Sequence, residues 1–360
     1  MHRFRGTKSM SRAVTAALGL IAASGTAGAF EAKISGHVNR MIMRVDDGQQ
    51  SKVLHADNIN SQTRFRFVGT QEVTPGLTAG LNWEVGWTSN PSSSLSMTSP
   101  SVAATLNERH TDLFFKGKWG TVSFGQGDGA ANGGMEVDLS GTTVIQYSGF
   151  SDIGGGFAFR NKAGGAAGST IGATLSNLDF ESRYDRLRYD TPALGPLKFA
   201  ASSGTTSAGF DATEFAAILG SDFAAGKLAG ALGWSQEKRG GVAGDEQTLG
   251  GSISFLARNG TNISFAHARK EDDTLGKPDH KFTYVKLGHQ WGKHAVAIDY
   301  GQGKHMALAG DKSKAYGIGY VWTPEKWAEL YAGFKVHKLE RPGADFDNIS
   351  FLSAGTRIKF

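Results

Sequence analysis

Basic side chains recur one residue apart at two places, Arg64 with Arg66 and Arg186 with Arg188. The first pair is interleaved with Phe65 and Phe67, the second with Leu187 and Tyr189. On a β-strand alternate side chains share a face, so each pair sets two guanidiniums on one side and apolar neighbours on the other. Fixed cations of this kind orient anions or form salt bridges, but they make and break no bonds. Other chemistry is sparse. The absence of Cys excludes disulfides, Cys-ligated zinc, iron–sulfur clusters and thiol catalysis. Ten His are scattered with none in H-E-x-x-H spacing, and no G-x-S-x-G occurs. Gly125-Gln126-Gly127-Asp128-Gly129 precedes no amphipathic helix and reads as a glycine-rich rim, not a phosphate loop. Asp245-Glu246 and Asp272-Asp273 read as solvated loop charge, with a divalent ion or bridged lipopolysaccharide as the alternative. No metal site, cofactor or enzymatic activity is expected.

The elements that position these residues are strands. Leu352, Ala354, Thr356, Ile358 and Phe360 alternate with Phe351, Ser353, Gly355, Arg357 and Lys359. Leu330, Ala332, Phe334 and Val336 alternate with Tyr331, Gly333, Lys335 and His337, and Tyr316 to Trp322 repeats the pattern. Short connections fall at 74–76, 118–120, 191–196, 224–226, 258–260, 291–293 and 323–326. Longer polar ones lie near 46–60, 89–107, 128–181, 204–213, 236–246, 271–280, 302–313 and 340–348. Fifteen connections imply about sixteen strands, with both termini on one side. One strand breaks the pattern. Ile34, Gly36 and Val38 share parity with Arg40 and Arg44, while Met41 and Met43 take the other face. A bulge near Asn39 restores the phase; otherwise this wall faces another subunit and tolerates outward charge.

Gly makes up 50 of 360 residues, about twice ordinary usage, which argues against a helical bundle. Arg3, Arg5, Lys8 and Arg12, an apolar run from Ala13 to Ala23, and Ala27-Gly28-Ala29 read as a signal peptide over 1–29, leaving a mature barrel over 30–360. Without those four bases the chain has 34 Lys and Arg against 33 Asp and Glu, so a nucleic-acid reading of the net +5 fails. Alternation alone fits a soluble sandwich as well as a barrel. Export, the regular exchange of short turns with long loops, and Trp119, Trp291, Trp322 and Trp327 beside short turns favour an all-β fold: a transmembrane antiparallel up-and-down β-barrel.

The chain resembles the trimeric general porins of Gram-negative outer membranes. The resemblance rests on Lys33 to Arg40, on Thr63 to Gly69 with the Pro75-Gly76 turn, and on Gly117 to Gln126. It continues through Glu136-Val137-Asp138-Leu139-Ser140-Gly141-Thr142, Arg186 to Pro192 and the terminal Phe360. It implies a sixteen-stranded barrel in the cell outer membrane, a homotrimer, and passive diffusion of small hydrophilic solutes; the alternative is a substrate-selective channel. It further implies that the long third loop, 128–181, folds into the lumen and places Glu136 and Asp138 at the constriction. Arg64, Arg66, Arg186, Arg188 and Arg40 then become candidates for the basic wall opposite. Phe360 becomes an assembly signal read by the barrel-assembly machinery. Lipid and lipopolysaccharide are the expected surroundings.

Overall fold

A computed structural model describes residues 30–164, 168–240 and 244–360; the signal-peptide reading of 1–29 lies outside them. The first wall strand, β1 (Glu31–Asp46), runs up and returns as two halves of one descending strand, β2 (Ser51–Asp57) and β3 (Arg64–Thr74), separated by a short helical turn at Ile59–Ser61. The ascent and descent then alternate through β4 (Leu77–Thr88), β5 (Thr105–Gly117), β6 (Gly120–Asp128), β7 (Arg183–Asp190) and β8 (Leu197–Thr205). They continue through β9 (Asp211–Phe223), β10 (Gly226–Lys238), β11 (Glu246–Ala257), β12 (Thr261–Asp272) and β13 (His280–Trp291). The last are β14 (His294–Lys304), β15 (Lys312–Glu325), β16 (Ala328–Arg341), the two-residue β17 (Ala344–Asp345) and β18 (Ile349–Lys359). Every wall pairing is antiparallel, and β1 pairs with β18 from His37–Lys359 to Asp46–Ser350. Counting β2 with β3 and setting β17 aside, the described residues form a closed sixteen-stranded barrel. Closure satisfies the edge groups that lipid would leave unpaired.

The outer face is apolar. Leu232, Leu249, Ile253, Phe265, Leu287, Ile298, Ile318 and Leu352 are all exposed along it. Trp119, Trp291, Trp322 and Trp327 are exposed at the short-turn end, where Trp119 stacks on Tyr189. No helix among the described residues is long and apolar enough to cross a membrane, so the strands do the crossing.

One expectation fails here, and one of two open alternatives falls away. The region 46–60 is a tight turn followed by the whole of β2, because the Asp47 side chain accepts from the Gln49 and Gln50 amides and closes the hairpin. Nor does β1 bulge near Asn39, since its register with β18 runs unbroken from 37 to 46. Met41, Met43 and Val45 therefore point inward, and Arg40, Ile42 and Arg44 outward. The inward Met residues are buried against Leu95, Met97, Ile145, Ile153, Phe157, Phe159 and Phe351. The lumen here is filled by chain, so its wall is apolar.

Candidate functional site

The filler is chiefly the 54-residue connection between β6 and β7, residues 129–182. Its root is fixed by the second arginine pair. Arg186 is buried, donating to the Gly125 and Asp128 carbonyls at 2.7 and 3.0 Å and to Asp112 at 2.8 Å. Arg188 donates to the Gly129 carbonyl at 2.7 Å and to both Asp190 oxygens. Both guanidiniums are spent where the loop leaves and rejoins the wall. They correct the expectation of pore-wall bases: inward parity is right, but the loop covers them.

From that root the loop lies against the inner faces of β9, β11 and β13. Glu214 accepts from the Ala131 and Glu181 amides, and Ser252 and Ser254 accept from Val137 and Leu139. Phe150, Leu175 and Leu178 pack with Ala266, Phe282, Tyr284 and Ala315 of the wall. The loop's other side borders an open polar passage of about 620 Å³.

Four guanidiniums face this passage: Arg64, Arg109, Arg183 and Arg357. Each is braced from behind. Glu84 lies 3.3 Å from Arg64 and forms a short ion pair with Arg109. Arg357 reaches Glu329 at 2.5 Å and Ser61 Oγ at 2.7 Å, and Arg183 meets Asp128 at 2.7 Å. A β-bulge aims Arg109. Glu84 pairs with His110 but Val85 with Glu108, so Arg109 is the extra residue turned inward. Arg66 does not line this passage; it shares the inward face one step toward the short-turn end and donates to Asn82 at 2.9 Å.

Opposite stand Glu136, Asp152 and Asp179 from the loop. Burial, reinforced by Asp179 and Asp152, holds the Glu136 carboxyl well above its ordinary range, and its side-chain donor is Asn177 at 3.0 Å. Burial raises Asp152 and Asp179 to about 6 each. Asp179 accepts from the Gly133 and Met135 amides at 2.7 and 2.8 Å, and Asp152 from the Tyr147 hydroxyl. These oxygens are turned largely into the loop's own donors.

Of the acids expected at the constriction, Glu136 borders the passage and Asp138 does not. Asp138 is sealed behind the loop, 2.6 Å from Lys286. Arg40 also drops out of the wall set: it points outward, near Asp57 at 3.7 Å and donating to the Ser89 carbonyl at 2.7 Å. Arg109, Arg183, Asp152 and Asp179 are functional candidates that the sequence pattern missed. Arg357 stood on the polar face of the last strand, but nothing there marked its height.

The geometry agrees with what the chain resembles. The sequence matches the family of Gram-negative porins over residues 13–341. No curated protein matches it. Among solved structures, the anion-selective porin of Comamonas acidovorans superposes with a TM-score of 0.67 at 17% identity, covering 92% of this chain and all of that one. The trimer form of OmpT from Vibrio cholerae gives 0.61 at 13% identity, with 92% and 100% covered. The DcaP channel of Acinetobacter baumannii gives 0.56 at 14% identity, with 94% and 100% covered. At these identities the superpositions speak for the fold, and the sequence match speaks for descent. The chain belongs to the Gram-negative porin family, outer-membrane β-barrels that form diffusion channels.

Proposed function

We propose that the passage beside the inward loop is the conducting constriction, that it favours anions, and that it acts by diffusion with no catalytic step. One observation carries this reading: four braced guanidiniums face loop carboxyls whose oxygens are occupied by the loop's own amide and hydroxyl donors. Charged rings at a narrow point set ion preference because permeating ions shed part of their hydration there. The Comamonas porin with the same fold is described as anion-selective, which supports the direction. Reversal potential across a planar bilayer under a KCl gradient tests it. The parent channel passes chloride in preference to potassium, and Arg64→Gln with Arg357→Gln reduces that preference. A cation-selective parent overturns the reading.

Association into a homotrimer belongs to the same proposal. It rests on outward Arg40 and Arg44 set among exposed apolar side chains of β1 and on the trimer form described for the Vibrio structure.

A further inference from the structure

Behind the loop, on the side away from the passage, a charged pair is sealed from water. Lys286 on β13 is fully buried and donates to Asp138 at 2.6 Å and to the Gln146 carbonyl at 2.7 Å. Neutral ties flank it, and the buried Asp299 and Lys335 of the wall lie within electrostatic reach of Lys286. Gln290 donates to the Leu139 carbonyl at 2.5 Å, Ser254 accepts from the Leu139 amide, and Ser252 donates to the Gly134 carbonyl at 2.7 Å. The two loop positions held by Lys286 adjoin what borders the passage: Glu136 lies two residues before Asp138, Thr143 and Val144 lie between the two, and Tyr147 follows Gln146.

We propose that the Lys286–Asp138 pair is a positioning clamp that presses the loop against β13 and so sets the bore of the passage. The reasoning is electrostatic. A buried pair of opposite charges is tolerable, but removing one partner leaves a lone charge in a low-dielectric pocket at high cost. Loop-borne Asp138 can regain solvation only toward the passage; the alternative is to take up a proton and give up its ion pair, and by either route losing Lys286 loosens the loop from β13. Removing both charges leaves no stranded charge, and the serine and glutamine ties keep the loop in place.

The inference rests on reading the passage as the conducting path, and single-channel recording separates the two. Full-length refolded protein is compared as parent, Lys286→Met, Asp138→Asn and the double variant, with Lys293→Met at an exposed turn as control. Detergent-gel mobility before and after heating reports whether each barrel is folded. Lys286→Met is expected to lose the parent's steady open current, giving lower mean current with flicker and slower sugar entry into liposomes. The double variant recovers a steady level, and the control matches the parent. Should Lys286→Met fail to fold, Asp138→Asn reads the same clamp from the loop side: Lys286 then keeps only the Gln146 carbonyl and the neighbouring Asp299, and the current is again unsettled. Parent-like current in both single variants, or a double variant no steadier than they are, overturns the clamp. If Arg64→Gln and Arg357→Gln shift the reversal potential while the clamp variants do nothing, the clamp fails and the conducting path stands.

Discussion

Two acids separated by one residue meet opposite fates. Glu136 borders the passage, whereas Asp138 is locked behind the loop by Lys286. In an extended strand positions 136 and 138 would share a face, but this stretch is irregular, and wall ties at Val137 and Leu139 turn it. The loop carboxyls give a pH dependence whose sign follows from burial. Asp152 and Asp179 are held at about 6, so above that they carry charge and below it they are neutral. Lowering the pH from 7.5 to 5 thus removes negative charge beside Arg64, Arg109, Arg183 and Arg357, and anion preference rises. Reversal potentials at the two pH values check this. In an Asp152→Asn/Asp179→Asn variant the change shrinks and the pH 7.5 value already approaches the parent's acid one; an undiminished change would assign the effect to other groups.

Strands were more legible than what fills them. Alternation from Leu352 to Phe360 and from Leu330 to Val336 gave inward and outward faces correctly, because the periodicity of a strand in a closed wall is fixed by geometry. Arg109 escaped because a bulge shifts the phase within β5, and local sequence carries no clear mark of it. Arg186 and Arg188 were placed on the correct face, yet their roles depend on a loop that arrives there from up to 60 residues away. In β1 inward Met residues resembled a phase error because an apolar inner wall makes sense only once the loop covers it. The seam between the first and last strands yields a prediction at this scale. Gly36 and Phe360 exchange backbone hydrogen bonds at 3.0 Å each way. A Cβ at Gly36 would come within 2.5 Å of the Arg64 carbonyl and 2.7 Å of the Phe360 ring. Gly36→Ala should destabilise the barrel by roughly 1–3 kcal/mol, the usual cost of overpacking. Urea unfolding from detergent or lipid vesicles measures it. Deleting Phe360 removes the same seam contacts and should lower the yield of inserted barrel more than the conductance of inserted molecules; normal assembly of the deletion contradicts this.

At the scale of the whole molecule, the proposed trimer puts its contact at the wall where outward charge lies among exposed tryptophans, although outward Arg269 and Glu271 on β12 show that such charge is not confined to it. Arg40, Arg44 and His55 project from β1 and β2, and Glu108 from β5 opposite Val85, on the face that carries Trp83, Trp87 and Leu106. An arginine on the lipid face of a barrel costs about 2–4 kcal/mol at the midplane, less near the interfaces. A wall with two arginines and an acid among exposed apolar side chains is therefore costly in lipid. In the proposed contact with a second copy of the chain, an acid such as Glu108 is available to Arg44, and the exposed Trp and Leu supply apolar contact. The two settings predict opposite mutational signs. If the wall faced lipid, Arg40→Leu/Arg44→Leu would stabilise the barrel and leave its assembly state alone. If it is the subunit contact, the double substitution loosens the assembly while each barrel still closes through β1 and β18. We expect the second result. Native mass spectrometry in detergent should find three chains for the parent, and heating in dodecyl sulfate should separate the variant into monomers at a lower temperature. A variant trimer as heat-resistant as the parent, or a strictly monomeric parent, would return this wall to the lipid, with Arg40 held only by Asp57 and the Ser89 carbonyl of its own chain.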